Sequence, residues 1–371
     1  MALRYRILAV IAAVLALAVL SLGLVLSYDS PCTSADPLPR DAARMKAIVA
    51  RCYGSTDVLN VEDVPRPTVT DDALLIRVHA AALNPLDVHY MTGTPYIMRL
   101  SSGIGKPADS RTGVDFAGTV EAVGRNVHRF KPGDEVFGGA NGALAEYVTV
   151  REQGAVAIKP AGVTFEQAAG VAIAGVTALQ ALRDQGQVRP GQRVLVNGAS
   201  GGVGTFAVQI AKSMGAEVTG VCSTRNLELV RSLGADHVID YTQEDFTRSG
   251  KTYDVILDNV GNHPLSALRR ALTPEGTLVI VGGPKDDPWI GPLSGLIKAS
   301  FVAPFVDQKL NFLLANLTQE DVETLGRLMQ AGKVTPVVDR RYGLDEVPAA
   351  MQYLQTGRAR GKVVVALADA L

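Results

Sequence analysis

The 371-residue chain predicts an α/β protein of two lobes, a doubly wound parallel sheet beside a small, partly open β-barrel, with one transmembrane helix ahead of both. Three observations carry this. Strand and helix signals alternate from Arg193 to Val281, short β-rich runs broken by Gly and Pro fill Met45 to Lys159, and Ile7 to Leu26 is a run of twenty uncharged residues. A hydrophobic content of 47% is enough to bury a large core in two lobes, and a net charge of -1 with no basic stripe argues against nucleic acid as a partner.

As a helix, Ile7 to Leu26 would rise about 30 Å, the thickness of a bilayer core. A cleaved signal peptide and a buried core helix are the alternatives. A signal core is usually shorter and no Ala-x-Ala site follows, which favours a retained anchor. Arg4 and Arg6 precede the run, while Arg40, Arg44 and Lys46 come only after a gap, so the positive-inside count is nearly balanced. Residues 27–44, with Pro31, Pro37 and Pro39, read as an irregular tether. Cys32, Cys52 and Cys222 match no C-x-x-C or Cys/His spacing, which predicts neither a disulfide framework nor a structural zinc and suits a reducing compartment.

The first lobe, residues 45–160, has strand signals at Ala73 to Ala82, Gly118 to Val123 and Ala145 to Val150, with a turn at Lys131-Pro132-Gly133-Asp134. Asn84 is placed to cap a helix starting at Pro85, so Asn84, Asp87, His89 and Tyr90 fall on one short helical segment. His79, His237 and His263 are isolated and read as structural.

The second lobe, residues 161–315, opens with the capping box Thr164-Phe165-Glu166-Gln167 and continues through Gly175-Val176-Thr177. A buried strand, Arg193 to Val196, leads into Gly198-Ala199-Ser200-Gly201-Gly202-Val203-Gly204 and then an apolar helix, Thr205 to Ala211. Glycines between a strand and a helix let backbone N–H groups approach a pyrophosphate, with the positive end of the helix behind them. Further signals at Glu217 to Val221, Arg225 to Leu233, His237 to Ile239, Tyr253 to Leu257, Pro264 to Leu272 and Thr277 to Val281, with a strand near Leu310 to Leu314, would complete six strands. Glu320 to Gln330 reads as an amphipathic helix and Lys362 to Ala366 as a strand. After the second strand of this sheet, where NAD enzymes place an acid for the ribose 2′-OH, stand Ser223, Thr224 and Arg225. Two hydroxyls and a guanidinium favour NADPH, unless Arg225 is only the first-turn residue of the next helix. Asn259, Val260, Gly261 and Gly282 end later strands, where ligands of such sheets bind.

Gly191, Gln192, Leu195, Ala199, Ser200, Gly201, Gly202, Gly204, Gln209 and Lys212 fall in the spacing of a known signature. The chain resembles the zinc-free quinone oxidoreductase and ζ-crystallin branch of the medium-chain dehydrogenases/reductases, over roughly Met45 to the C-terminus. The resemblance implies a GroES-like catalytic lobe completed by residues 316–371, a Rossmann lobe that binds NADPH, Thr177 near the nicotinamide and Tyr241 beside the adenosine ribose; it also allows a homodimer. Zinc-dependent relatives carry a cysteine near Asn84, a His-Glu pair near Val114-Asp115 and four further cysteines. Only the Asp115 carboxylate is present, too little for a three-ligand site. Asp115 therefore reads as a hydrogen-bonding residue, and no metal is expected. Soluble quinone reductases usually carry tyrosine where this chain has His89, so Tyr90 either substitutes for it or packs.

Without a metal, charge developing on an acceptor oxygen must meet hydrogen-bond donors, and Asn84, His89 and Tyr90 are the candidates. The expectation is a membrane-anchored, NADPH-dependent reductase of quinones or enones, its globular part on the cytoplasmic side where the cofactor is. A 2-enoyl-thioester reductase is the rival of the same class, and an NADPH-binding membrane scaffold the rival of another.

Overall fold

In the computed structural model, residues 2–34, 38, 42–283, 287–291 and 293–367 are described. Pro37 and Pro39 of the expected tether lie outside them. In chain order the elements are α1 Ala2–Ser27, β1 Arg44–Ala50, β2 Leu59–Pro65, β3 Ala73–Leu83, α2 Pro85–Thr92, α3 Arg99–Ser102, β4 Asp115–Val123, β5 Glu135–Gly139, β6 Tyr147–Arg151 and β7 Val156–Ile158. Then come α4 Phe165–Ala169, α5 Ala172–Gln180, β8 Arg193–Asn197, α6 Gly202–Ser213, β9 Glu217–Cys222, α7 Leu227–Ser232, β10 His237–Asp240, β11 Tyr253–Asp258, α8 Leu265–Arg270 and β12 Leu272–Ile280. The chain closes with α9 Leu293–Val302, β13 Lys309–Phe312, α10 Gln319–Gln330, β14 Val338–Gly343, α11 Val347–Gln355 and β15 Lys362–Ala366.

Six parallel strands run in the order β10-β9-β8-β11-β12-β13. Val194, Leu195, Val196, Ile256 and Leu257 are fully buried there, as a sheet covered on both faces requires. The order reverses between β8 and β11, which opens a crevice at their carboxyl ends, beside Gly198 and Asn259.

The other large sheet runs β14-β15-β3-β4-β5-β7, with β6 also on β3. β3 holds two partners on one edge: Ala73 to Arg77 pair with β6, and Ala80 to Leu83 pair with β15. Changing partner along one strand, with a register shift against β4 between Val78 and Ala80, bends the sheet into the expected partly open barrel. Because β15 comes from the C-terminus, the sheet places Lys362 against the carboxyl end of β3.

One expectation changes, that of no disulfide. The start of the expected tether is held to the globular part: the buried Arg99 donates to the carbonyls of Leu26 (2.9 Å), Tyr28 (3.0 Å) and Gly93 (2.7 Å), and pairs with Asp29 at 2.8 Å. Its guanidinium lies against the rings of Tyr53 and Tyr96. The Ser30 N–H donates to Gly105 O at 2.8 Å. This strap carries Cys32 to the end of β1, where it forms a disulfide with Cys52, the Cα atoms 4.8 Å apart. No disulfide was expected because a separation of 20 residues is no motif; the pairing is made by the fold, through Arg99.

Candidate functional site

The Asn84–Pro85 start of α2 follows directly from the end of β3, and there the structure gathers four buried polar side chains, Asn84, Asp87, Asp115 and Lys362. The carboxylate of Asp87, at the third helical position, accepts the Asn84 backbone N–H at 2.7 Å. The Asn84 amide itself is directed sideways: Nδ2 donates to Asp115 Oδ2 at 3.0 Å, and Oδ1 accepts from Lys362 Nζ. Lys362 Nζ also reaches Asp115 Oδ2 at 3.2 Å, and the other Asp115 oxygen accepts the Ile173 N–H at 2.9 Å. One turn further along α5, Thr177 Oγ1 donates to Ile173 O at 2.7 Å. The cluster therefore joins the barrel to α5 of the dinucleotide lobe.

It also abuts the glycine turn. Gly361 donates its N–H to Ser200 O at 2.9 Å, and a Cβ on Gly202 would lie 3.4 Å from Lys362 Cδ. Lys362 thus packs beneath the turn that precedes α6. Lys362 and Asp87 were not read as site residues from sequence; the available signal was a single lysine opening an otherwise apolar strand, KVVVA.

Burial pushes the Asp87 carboxyl up to about 7, the Asp115 charge acts in the same direction, and the Asn84 hydrogen bonds and Lys362 oppose it. Its Oδ1 has no protein partner. Tyr90 is 37% exposed; burial and the Asp87 charge raise its hydroxyl pKa. His89 Nδ1 lies 2.6 Å from Thr94 O, and since a carbonyl only accepts, that nitrogen is the donor; in the neutral ring Nε2 is then an acceptor. Of the three expected donors, Asn84 is enclosed in the cluster, His89 donates through Nε2 only when protonated, and Tyr90 is partly exposed.

The glycine turn has the form a dinucleotide needs. Gly198 has φ +79°, and a Cβ on Gly204 would come 2.1 Å from Gly198 O, so strand and helix close up only with glycine. Gly201 and Gly202 open α6, and Val203 lies in its first turn. Across the crevice, Asn259 Nδ2 donates to Asn197 O at 3.0 Å while its Oδ1 is buried without a partner. The carboxylate of the buried Asp258, another residue the sequence reading passed over, fixes this loop by accepting the N–H groups of Val260 and Gly261, each at 3.1 Å. Gly282 stands where a Cβ would strike Asn259 O. Buried acceptors left open beside a turn that excludes side chains fit a bound NADPH.

At the adenosine end one expectation is corrected. An acid does stand there: Thr224 Oγ1 donates to Asp240 Oδ2 at 2.6 Å, from the end of β10, and this hydrogen bond holds the Asp240 carboxyl below its usual range. Sequence distance hid it, because Asp240 belongs to the next strand. Thr224 is therefore engaged, which leaves Ser223 and Arg225. Arg225 lies in the 3-10 turn that leads into α7 and donates to Arg358 O at 2.6 Å, bringing the 358–360 loop with its two arginines to this pocket. The buried Asn226, missed from sequence, donates to Ser200 Oγ at 2.9 Å and Ser223 Oγ at 3.2 Å and so ties the glycine turn to the end of β9; its Oδ1 is open. Tyr241 follows β10 and is exposed. Among the described residues no group of three His, Cys, Asp or Glu side chains is arranged to hold a metal ion.

A family model described as an alcohol dehydrogenase GroES-like domain matches residues 70–160, and one described as a zinc-binding dehydrogenase matches residues 233–365. A trans-enoyl reductase of Aspergillus terreus is 40% identical over 313 residues, covering 79% of this chain and 86% of its own. An NADPH-dependent alkenal/one oxidoreductase of Arabidopsis thaliana is 35% identical over 341 residues, covering 86% and 79%. The solved quinone oxidoreductase of Coxiella burnetii superposes with a TM-score of 0.76 at 31% identity, over 88% of this chain and all of that one. With both lobes, their connectivity and the glycine turn accounted for, the chain belongs to the medium-chain dehydrogenase/reductase family.

Proposed function

We propose that this protein is a zinc-independent, NADPH-dependent reductase of quinones or α,β-unsaturated carbonyl compounds. The observation that carries the reading is the cluster of Asn84, Asp115 and Lys362 under the glycine turn, in which the cation is a lysine ammonium. NADPH, when bound, supplies a hydride for an electron-poor carbon. Lys362 and Asp115 hold Asn84 and the start of α2, and Tyr90 on that helix donates to the acceptor oxygen as charge grows there. Asp87 holds the proton that completes the reduction, its pKa raised to about 7 so that a substantial share of the carboxyl stays protonated near neutrality. Thr177 borders the nicotinamide, and Ser223, Arg225 and Asn226 receive the 2′-phosphate end.

Reduction of a 2-enoyl thioester asks for the same two transfers and is the second reading, favoured by the likeness to the Aspergillus terreus trans-enoyl reductase. NADPH oxidation measured against quinones, enones and enoyl thioesters separates the two; no turnover on any of the three classes would leave only an NADPH-binding scaffold.

In this reading residues 7–26 anchor the enzyme, the barrel lobe spans 45–160 with 316–371, and the dinucleotide lobe spans 161–315. Support for the anchor is the apolar helix Arg4–Ser27 near the N-terminus, exposed over most of its length, with Leu26 buried at its end. We place the globular part on the cytoplasmic side because it draws NADPH. The ground taken from unpaired cysteines is removed by the Cys32–Cys52 bond, so this placement rests on the cofactor alone. A homodimer is part of the same reading, by family likeness.

A further inference from the structure

Where α1 meets the globular part, the surface around it is apolar. Tyr28, Leu100, Ile104 and Trp289 are each between 47% and 59% exposed, and they sit on the segments that grip the helix end. Trp289 packs its ring edge against Gly23 of α1, 3.4 Å from where a Cβ would stand, and the backbone of Pro288 and Trp289 accepts the N–H groups of Tyr96 and Ile97.

α9 begins four residues after Trp289, and the 3-10 turn Ala303–Phe305 follows it. This stretch has two faces. Ala299 is buried at 1%, and Gly295 lies against the Ile280 side chain. Ile297, Phe301 and Phe305, four residues apart, are 46%, 76% and 85% exposed. Residues 288–305 hold one charge, Lys298, and residues 95–105 hold one, the buried Arg99. A face of Phe, Ile, Leu and Trp whose charges are Lys298 and, at the rim, Asp29 paired with Arg99 and Asp287 capping the Trp289 turn has the composition of a segment lying in a membrane interface, where aromatic rings sit at headgroup level and a lysine stem reaches outward. A scatter of single apolar residues would need no explanation, but these are continuous with the exit of a membrane-spanning helix.

We propose that the outer face of α9, with the collar of Tyr28, Leu100, Ile104 and Trp289, docks onto the lipid surface through which α1 passes. The inference rests on the anchor proposed above and adds to it a fixed face toward the bilayer. Its consequence for the reaction is a substrate class: acceptors dissolved in the membrane meet an enzyme held in one orientation, whereas water-soluble acceptors gain nothing from it.

Trp289 is the only tryptophan of the chain, so its emission reports this face. Full-length protein reconstituted in phosphatidylcholine vesicles with brominated acyl chains should lose most of its Trp289 emission relative to unbrominated vesicles. In a W289F/F305W variant the new tryptophan, remote from α1 along the chain, should be quenched as well. F301E/F305E should lower kcat/KM several-fold for a membrane-dissolved quinone and leave a water-soluble quinone unaffected. Extraction with alkaline carbonate tests the anchor separately. Protein that stays in the membrane while the Phe305→Trp emission is unquenched keeps the anchor and overturns the docked face, including the case in which sedimentation in detergent shows a second copy covering it. Protein that carbonate releases overturns the anchor and this inference together.

Discussion

Replacing Lys362 with methionine tests the buried cluster most directly. Methionine keeps most of the aliphatic stem that packs by Gly170 and Gly202 and removes only the ammonium. Lys362 is 3% exposed and its partner Asp115 0%, so no solvent reaches the carboxylate that is left behind. Removing one member of a buried ion pair costs about 3–5 kcal/mol, because the remaining charge is desolvated and uncompensated. At roughly 2 °C per kcal/mol for a chain of this size, the thermal midpoint should fall by about 6–10 °C. The same change frees Asn84 Oδ1, so kcat should fall as well. Adding Asp115→Asn removes the stranded charge while leaving an amide oxygen for the Ile173 N–H, and the double variant should recover most of the lost stability but not the activity. Melting curves and steady-state NADPH oxidation on the four proteins of the cycle measure both. A single variant that melts within a degree or two of the parent, or a double variant no more stable than the single, would refute the account of the cluster as a buried ion pair that positions Asn84.

The raised pKa of Asp87 predicts a pH profile: reduction should decline as pH rises through about 7, and Asp87→Asn should lower the rate and abolish that limb. The sign for stability follows from the same shift. The folded pKa lies above the unfolded one, so the parent loses stability between about pH 4 and about pH 7 as the folded form resists ionisation, and Asp87→Asn, whose amide still accepts the Asn84 N–H, should lack that slope in urea titrations at several pH values. Arg225→Ala should remove about 1–3 kcal/mol of the preference for NADPH over NADH by deleting charge-assisted hydrogen bonds, read from fluorescence titration of both cofactors; equal affinities in the parent would sink the assignment. Arg99→Met should strand the carbonyls of Leu26, Tyr28 and Gly93 and lower the melting point by the largest margin of any single change outside the cluster, tested by melting in detergent. Purified in air and unfolded without reductant, the protein should show one maleimide-reactive thiol, Cys222, and three after reduction; three before reduction would show that the fold does not join Cys32 to Cys52.

Much of this architecture was legible because it follows from local pattern. The parallel strands are continuous apolar runs, the glycine turn needs its residues for steric reasons, and the Thr164–Gln167 capping box forms as its spacing demands. What stayed hidden was set by pairing between distant segments. Asp115 and Lys362 are 247 residues apart and meet because β15 returns to β3. Asp240 meets Thr224 because β10 lies beside β9, and Cys32 meets Cys52 because Arg99 draws the strap inward. The capping role read for Asn84 was legible as a helix start, but the side chain's true partners come from β4 and β15, which no local rule could supply. Lys362 opens a strand whose next residues are all apolar, and a charge at the head of such a strand is ordinarily taken for a solvated end.

The shared cap at Arg99 has a mechanical consequence. One guanidinium closes the carbonyl ends of both α1 and α2, so the proposed anchor and the helix that carries Tyr90 are fastened to the same rigid group. A helix whose apolar length of about 30 Å matches the hydrocarbon thickness stands nearly upright, and a thinner bilayer forces it to tilt. Joined through a flexible linker, that tilt would be absorbed before it reached the enzyme. Under the proposed anchor, a joint through Arg99 carries that tilt to the end of α2, and the rate of reduction should then depend on bilayer thickness.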